Sequence, residues 1–196
     1  MADIQYITEF HPLVHNFGLW ANRPANPFNG QKYTATDRSN KEYFWGTTAA
    51  NWLSTQQYIV EMKTAVVDTH NIQATFALNY AENPVRDRGC YIEKATWLNY
   101  TYSASNTPTN STNYWHLEIF KANTSNVGTQ LVNYNNYAQS TGVNVWIRAD
   151  IAINTVYAAN TDAIQFFGNV VKVGSPGGNP SGLYCSYPLV YLREVG

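Results

Sequence analysis

The chain has 196 residues, enough for one full domain, or one domain with a small module, and too few for two large domains. Charged residues make up only 13% and aromatics 15%, with 15 Tyr and 6 Trp, against roughly 25% charged residues in typical soluble proteins. A formal net charge of -1 leaves no basic field to hold a phosphate backbone, which argues against nucleic acid as a partner.

Asn and Thr together supply roughly a fifth of the chain. Tyr, Trp and Thr pack well on a pleated surface and Asn tolerates left-handed turn positions, so strands joined by polar turns are expected and few helices. No stretch reaches the roughly 18 apolar residues of a membrane span, and Met1-Ala2-Asp3-Ile4-Gln5 lacks a basic and apolar leader, so synthesis in a cytoplasm is expected. Cys90 and Cys185 cannot build a disulfide framework; they are two buried thiols, the preferred reading, or a single bridge.

In chain order, residues 1–17 carry little pattern and read as an extended arm. Two placements are open for it: docked on another subunit, or laid over the protein's own sandwich. His11 and His15 have ligand spacing only on a helix, and Pro12 opposes a helix through them, so no metal is expected there. Residues 18–55 form a distinct block. Asn22-Arg23-Pro24-Ala25-Asn26-Pro27-Phe28-Asn29-Gly30 is rich in turn residues. Gln31 to Thr36 reads as a strand, Asp37-Arg38-Ser39-Asn40 as a turn, and Lys41 to Trp45 as the returning strand of a hairpin. A lone hairpin is marginally stable, so Tyr33, Tyr43, Trp45 and Trp52 must clamp onto one another or onto another surface.

The series Arg23-Pro24, Asn26-Pro27, Gly30-Gln31-Lys32-Tyr33, Thr36-Asp37, Tyr43, Trp45-Gly46-Thr47 and Trp52 resembles a short aromatic β-hairpin module. That module recurs in bacteriophage tail-fibre and other virion proteins and in some bacterial surface proteins. The resemblance covers about a fifth of the chain and implies an assembly or adaptor element without a catalytic role.

Residues 56–196 read as successive strands of an antiparallel sandwich. The first runs from Tyr58 to Val67, with Tyr58, Val60, Met62, Thr64 and Val66 on one face. Strands then follow at Ala74 to Tyr80, Tyr91 to Tyr102, Asn113 to Lys121, Thr129 to Tyr134, Val143 to Ile153, Ala163 to Val173 and Leu183 to Leu192. Between them, Ser103 to Thr112 and Gly174 to Pro180 have loop chemistry. The pattern is clearest at Val143 to Ile153: Val143, Val145, Ile147, Ala149, Ile151 and Ile153 form a core face, and Trp146, Arg148 and Asp150 lie on the other. An indole beside two charged groups on an outward face marks a contact surface for a loop, a subunit or a ligand. Such a face suits a sugar, whose rings stack on indole and whose hydroxyls bond to Asp and Arg; Trp20, Trp45 and Trp52 are alternative platforms. The strand from Tyr114 to Phe120 and the Gly-Pro-rich loop before the last strand are also similar, in layout, to C-terminal sandwich domains of phage fibre proteins.

The last strand is apolar on both faces, which predicts an oligomer interface at Leu183, Tyr184, Leu189 and Tyr191, with a homotrimer as the natural solution. Coverage by the block at residues 18–55 is the alternative. No nucleophile elbow, zinc motif, phosphate loop or dinucleotide fingerprint is present, so no catalytic residue, cofactor or metal is expected. Glu93 and Glu118 are the one conceivable carboxylate pair, and both alternate with polar neighbours as outward positions do. Sequence thus predicts an all-β chain: an arm, a small β-hairpin module and a jelly-roll-like antiparallel β-sandwich. With the resemblance, it implies a non-enzymatic phage virion protein, located in the virion and most like a tail-fibre or receptor-binding subunit. Its expected partners are other virion proteins, through the arm or hairpin module, and a host surface glycan. A capsid decoration protein and a carbohydrate-binding module are the alternatives.

Overall fold

Large aromatic side chains far apart in the first part of the chain converge on one another. The computed structural model describes residues 16–68, 73–78, 89–101, 111–122, 128–138, 145–157, 165–174 and 188–196. Residues 1–15 of the arm, with His11 and His15, lie outside them, as do residues 102–110, which hold most of the Ser103 to Thr112 loop, and Cys185. Backbone contacts divide the chain into two units, residues 1–56 with Gly196, and residues 57–195.

In the first unit β1 (Asn16–Gly18) pairs in parallel with β2 (Lys32–Ala35), which pairs antiparallel with β3 (Lys41–Gly46). The beginning of β4 (Asn51–Glu61) pairs with β3, placing Trp45 opposite Trp52 and Tyr43 opposite Ser54. A 3-10 turn at Trp20–Asn22 brings Trp20 onto this sheet. Trp20, Tyr33, Ala35, Tyr43 and Trp52 form its core, with Trp45 packed at the margin. The rings meet by edges: Trp20 lies 6.3 Å from Tyr33 and 6.4 Å from Trp52, and Trp45 lies 5.9 Å from Trp52. Such edge-on pairs set positive ring edges against negative faces and add about 0.5–1.5 kcal/mol each beyond burial.

Polar groups then lock the Trp20 turn. Its N–H donates to Asp37 Oδ1 at 2.8 Å, and the Tyr33 hydroxyl donates to the Leu19 carbonyl at 2.6 Å. The Arg23 and Arg38 guanidinium groups lie 4.4 and 4.2 Å from the Trp20 ring centre, within cation–π range. Residues that carry the hairpin-module resemblance, Arg23, Tyr33, Asp37, Tyr43 and Trp52, therefore help to make this small unit cohere, together with Trp20 and Arg38, which lie outside that series.

The second unit is a two-sheet sandwich. One sheet runs β4, β12 (Leu189–Val195), β7 (Cys90–Thr101), β10 (Val145–Tyr157). The other runs β5 (Lys63–Asp68), β6 (Gln73–Leu78), β11 (Gln165–Val173), β8 (Tyr114–Ala122), β9 (Gly128–Asn135). From β6 onward the chain changes sheet at every step except the β8–β9 hairpin. With β4 in the first sheet and β5 as an added edge strand, this is the connection order of a jelly roll, and the chain is all-β.

Alternation fixes what each strand buries. Ile92, Ala95, Trp97, Val190 and Leu192 face Trp115, Leu117, Ile119, Val132 and Val170 across the core, with Met62 and Cys90 among them. The sequence pattern predicts one strand from Tyr58 to Val67, and here the structure corrects it. Tyr58, Val60 and Met62 do share a buried side, but the strand breaks at Met62, whose N–H donates to the Pro188 carbonyl, and resumes as β5 in the other sheet. A period of two is blind to a change of sheet, because both sheets face the same core. The final strand runs on to Val195 and β10 to Tyr157, both beyond their predicted ends. Among the described residues no helix is long and apolar enough to cross a membrane.

Candidate functional site

The outward side of the sheet β4–β12–β7–β10 gathers the charged side chains of the sandwich. On β10, Ala149, Ile151 and Ile153 pack inward, which leaves Arg148 and Asp150 exposed on the other side. On β7, inward Ile92 and Ala95 are three apart because Glu93 is an extra residue: Tyr191 pairs with Lys94 while the next residue, Leu192, pairs with Ile92. The β10 side of β7 is irregular at the same place, where Asn154 adopts φ 53°. A bulge of this kind kinks the strand and re-aims neighbouring side chains. Beyond it, Lys94 and Thr96 join Asp150 on the outer face.

Asp150 is the centre of that cluster. Thr96 Oγ1 donates to its Oδ1 at 2.6 Å, Lys94 Nζ lies 3.3 Å away, and Arg148 Nε lies 3.3 Å from Oδ2. The Thr96 hydrogen bond, opposed in part by burial and helped by weaker bonds from Lys94 and Arg148, holds the carboxyl below its ordinary pKa. It is therefore an anion at neutral pH and unsuited to act as a general acid. Arg148 and Asp150 side chains remain 60% and 46% exposed, so both keep faces open to a partner. Next to this cluster, Arg193 Nε donates to Glu93 Oε1, and Gln57 donates to Glu93 Oε2. Tyr91 donates to Asn154 Oδ1 at 2.9 Å, and burial, then the nearby Glu93 charge, raise its phenol pKa. Lys94 also lies 4.7 Å over the Tyr191 ring.

The sequence-predicted residues distribute as follows. Arg148 and Asp150 stand side by side in one ion pair. The Trp146 backbone pairs with Tyr100, and its side chain lies outside the described residues. Of the predicted interface, Leu183 and Tyr184 lie outside the described residues. Leu189 and Tyr191 are half-buried on the same outer face, opposite Thr96 and Lys94. Glu93 and Glu118 belong to different sheets and point away from the core that separates them. Glu118 is engaged by His116 Nε2 at 3.2 Å and Gln130 Nε2 at 3.3 Å. These two carboxylates thus cannot flank one glycosidic bond, which needs groups within about 5–10 Å of each other across a cleft.

Sequence reasoning missed Lys94, Thr96 and Arg193. Each is unremarkable along the chain and becomes part of a cluster only through strand register: Asp150 is the direct partner of Thr96, and Arg193 is 100 residues from Glu93. Among the described residues no group of three or more His, Cys, Asp or Glu could hold a metal ion.

No family model matches the chain, and no curated protein does. Three structures of infectious bursal disease virus proteins resemble it in part. The Gx strain structure has a TM-score of 0.36 at 11% identity, over 71% of this chain and 32% of that one. The Gt strain structure gives 0.34 at 11%, over 71% and 33%. The VP2 subviral particle gives 0.35 at 12%, again over 71% and 33%. The chain thus spans about a third of the length of the chains it resembles.

Proposed function

We propose that this chain is a non-enzymatic virion structural protein: an exposed, β-rich subunit of a bacteriophage tail fibre or receptor-binding appendage. The observation that carries the reading is the self-contained aromatic unit before the jelly roll. Its core residues Trp20, Tyr33, Tyr43 and Trp52 and its turn acceptor Asp37 hold the hairpin together, and all but Trp20 are landmarks of the hairpin module of virion proteins. A jelly roll alone serves many functions, so the fold adds only compatibility.

In this reading the hairpin unit, with the arm before it, is the adaptor to other virion proteins, and the sandwich presents its outer face. Homotrimer formation is supported by apolar side chains on the outward side of adjacent strands: Ile59 on β4, which is 57% exposed, beside the half-buried Leu189 and Tyr191 on β12. The row at Trp146, Arg148 and Asp150 is the proposed contact with a host surface glycan. Arg148 and Asp150 together offer donors and acceptors suited to vicinal hydroxyls.

Immunogold electron microscopy of the source lysate tests the reading, with antibodies against the recombinant protein. Gold at the tail or fibre tips is the expected result. Label over the head would replace the appendage with a capsid decoration protein, and unlabelled intact virions would overturn the virion reading in favour of a free carbohydrate-binding module.

A further inference from the structure

The hairpin unit contains a cleft that the adaptor role does not use. It has a volume of 420 Å³ and is walled by Pro24, Pro27 and Ala50, with Arg23, Trp45 and Asn51 in its lining. That volume lies towards the lower end of small-molecule sites, which run from roughly 300 to 1,000 Å³. The walls are short, and two of them are prolines whose φ is fixed, so the shape exists without a ligand to induce it.

Its polar groups are few and of opposite kinds. Arg23 donates through Nη1 to the Trp20 carbonyl at 3.0 Å and stacks on the Trp20 ring; among the described residues its remaining guanidinium N–H groups have no acceptor. Asn51 uses its Nδ2 to bond the Ala49 carbonyl at 2.9 Å, which leaves its Oδ1 as an acceptor. Trp45 is held edge-on against Trp52, and its partly exposed indole forms one side of the cleft. An anion would be attracted by Arg23 and repelled by the Asn51 oxygen. A hydroxyl both donates and accepts, and so satisfies both.

We propose that this cleft binds a neutral saccharide of mono- or disaccharide size, stacked on Trp45, with ring hydroxyls accepting from Arg23 and donating to Asn51 Oδ1. The aromatic platform supplies apolar contact with the C–H face of a pyranose, and the two polar groups fix its orientation. The site is distinct from the Arg148–Asp150 row and stands whether or not the chain belongs to a virion.

Its test is an NMR titration of the intact, 15N-labelled protein with lactose, cellobiose and maltose, following the indole N–H of Trp45, assigned with Trp45→Phe. Glucuronic acid and inorganic phosphate serve as anionic probes. A saturating shift of the Trp45 signal with at least one neutral disaccharide is expected, and a much weaker one with either anion. Arg23→Gln and Asn51→Ala should each weaken that binding about tenfold, the equivalent of one lost hydrogen bond of about 1.4 kcal/mol. No Trp45 shift with any neutral sugar at tens of millimolar would overturn the proposal, and so would preference for the anions. The wild-type comparison of neutral and anionic probes decides the matter even if a variant fails to fold.

Discussion

Thr96 and Asp150 face each other as direct partners across the β7–β10 ladder, and the threonine hydroxyl donates to the carboxylate at 2.6 Å. Because Asp150 has a lowered pKa when folded, the stability it contributes is fully present above the unfolded carboxylate pKa of about 3.9 and is lost as pH falls through the folded value. The contribution is small, since the side chain is 46% exposed and solvent screens it. Replacing Thr96 by Val removes the largest cause of the shift. An NMR titration of the Asp150 carboxyl carbon should then show its pKa moving up towards the ordinary carboxylate value, and an unchanged midpoint would refute the assigned cause.

Trp97 and Tyr134 meet edge-on in the sandwich core with ring centres 6.2 Å apart, and Trp97 Nε1 and the Tyr134 hydroxyl are buried without a hydrogen-bond partner among the described residues. Burial also raises the Tyr134 phenol pKa. An unsatisfied buried hydroxyl costs roughly 1–3 kcal/mol. Tyr134→Phe should therefore be neutral or raise stability by about 1 kcal/mol in urea denaturation, where removal of a bonded tyrosine hydroxyl would lower it.

Asp37→Ala should weaken the hairpin unit by about 1–3 kcal/mol, since the part-buried Trp20 N–H would lose its charged acceptor. Hydrogen exchange of the Trp20 amide provides the readout. Protection there should fall while the amide of Leu192, in the β12–β7 ladder, keeps its own.

Gly174 has φ +67°, and a Cβ placed on it would lie 2.1 Å from the Thr112 carbonyl oxygen, a backbone atom that cannot swing aside as a side chain does. Gly174→Ala is expected to cost about 1–3 kcal/mol or more through overpacking and left-handed strain. Ala50 gives the opposite case: it holds φ 50° in an exposed turn, so Ala50→Gly should gain about 0.5–1 kcal/mol, the left-handed penalty exceeding the added entropy of glycine. Thermal denaturation of the two variants should bracket the wild type.

The parts legible in the sequence are those that depend on near neighbours. Alternation from Ala149 to Ile153 identifies a buried and an exposed face, and the turn residues from Asp37 to Asn40 locate the hairpin, where Ser39 and Asn40 take positive φ. What stayed hidden depends on register. The sheet change at Met62 falls inside an unbroken alternation of the sequence, and the Glu93 bulge shifts by one which β7 residues share a face with Asp150. The cleft was illegible for a related reason: Arg23, Trp45 and Asn51 lie in three separate segments and meet only after β3 and β4 pair. Residue type alone marks Trp45 as a candidate sugar platform, while Arg23 and Asn51 carry no signal for that role.

The ion pair between Glu93 and Arg193 spans 100 residues of chain. β12 sits between β4 and β7, so the edges of those strands that face it stay unpaired until a segment far along the sequence arrives. A partly made chain must hold two open strand edges side by side during this wait, each a template for pairing with another molecule. Refolding should accordingly be slow, in the millisecond-to-second range of highly non-local β proteins, with closure by β12 as a late event. Losses to aggregation should rise steeply with protein concentration, a hazard that a copy donating its own strand could turn into assembly.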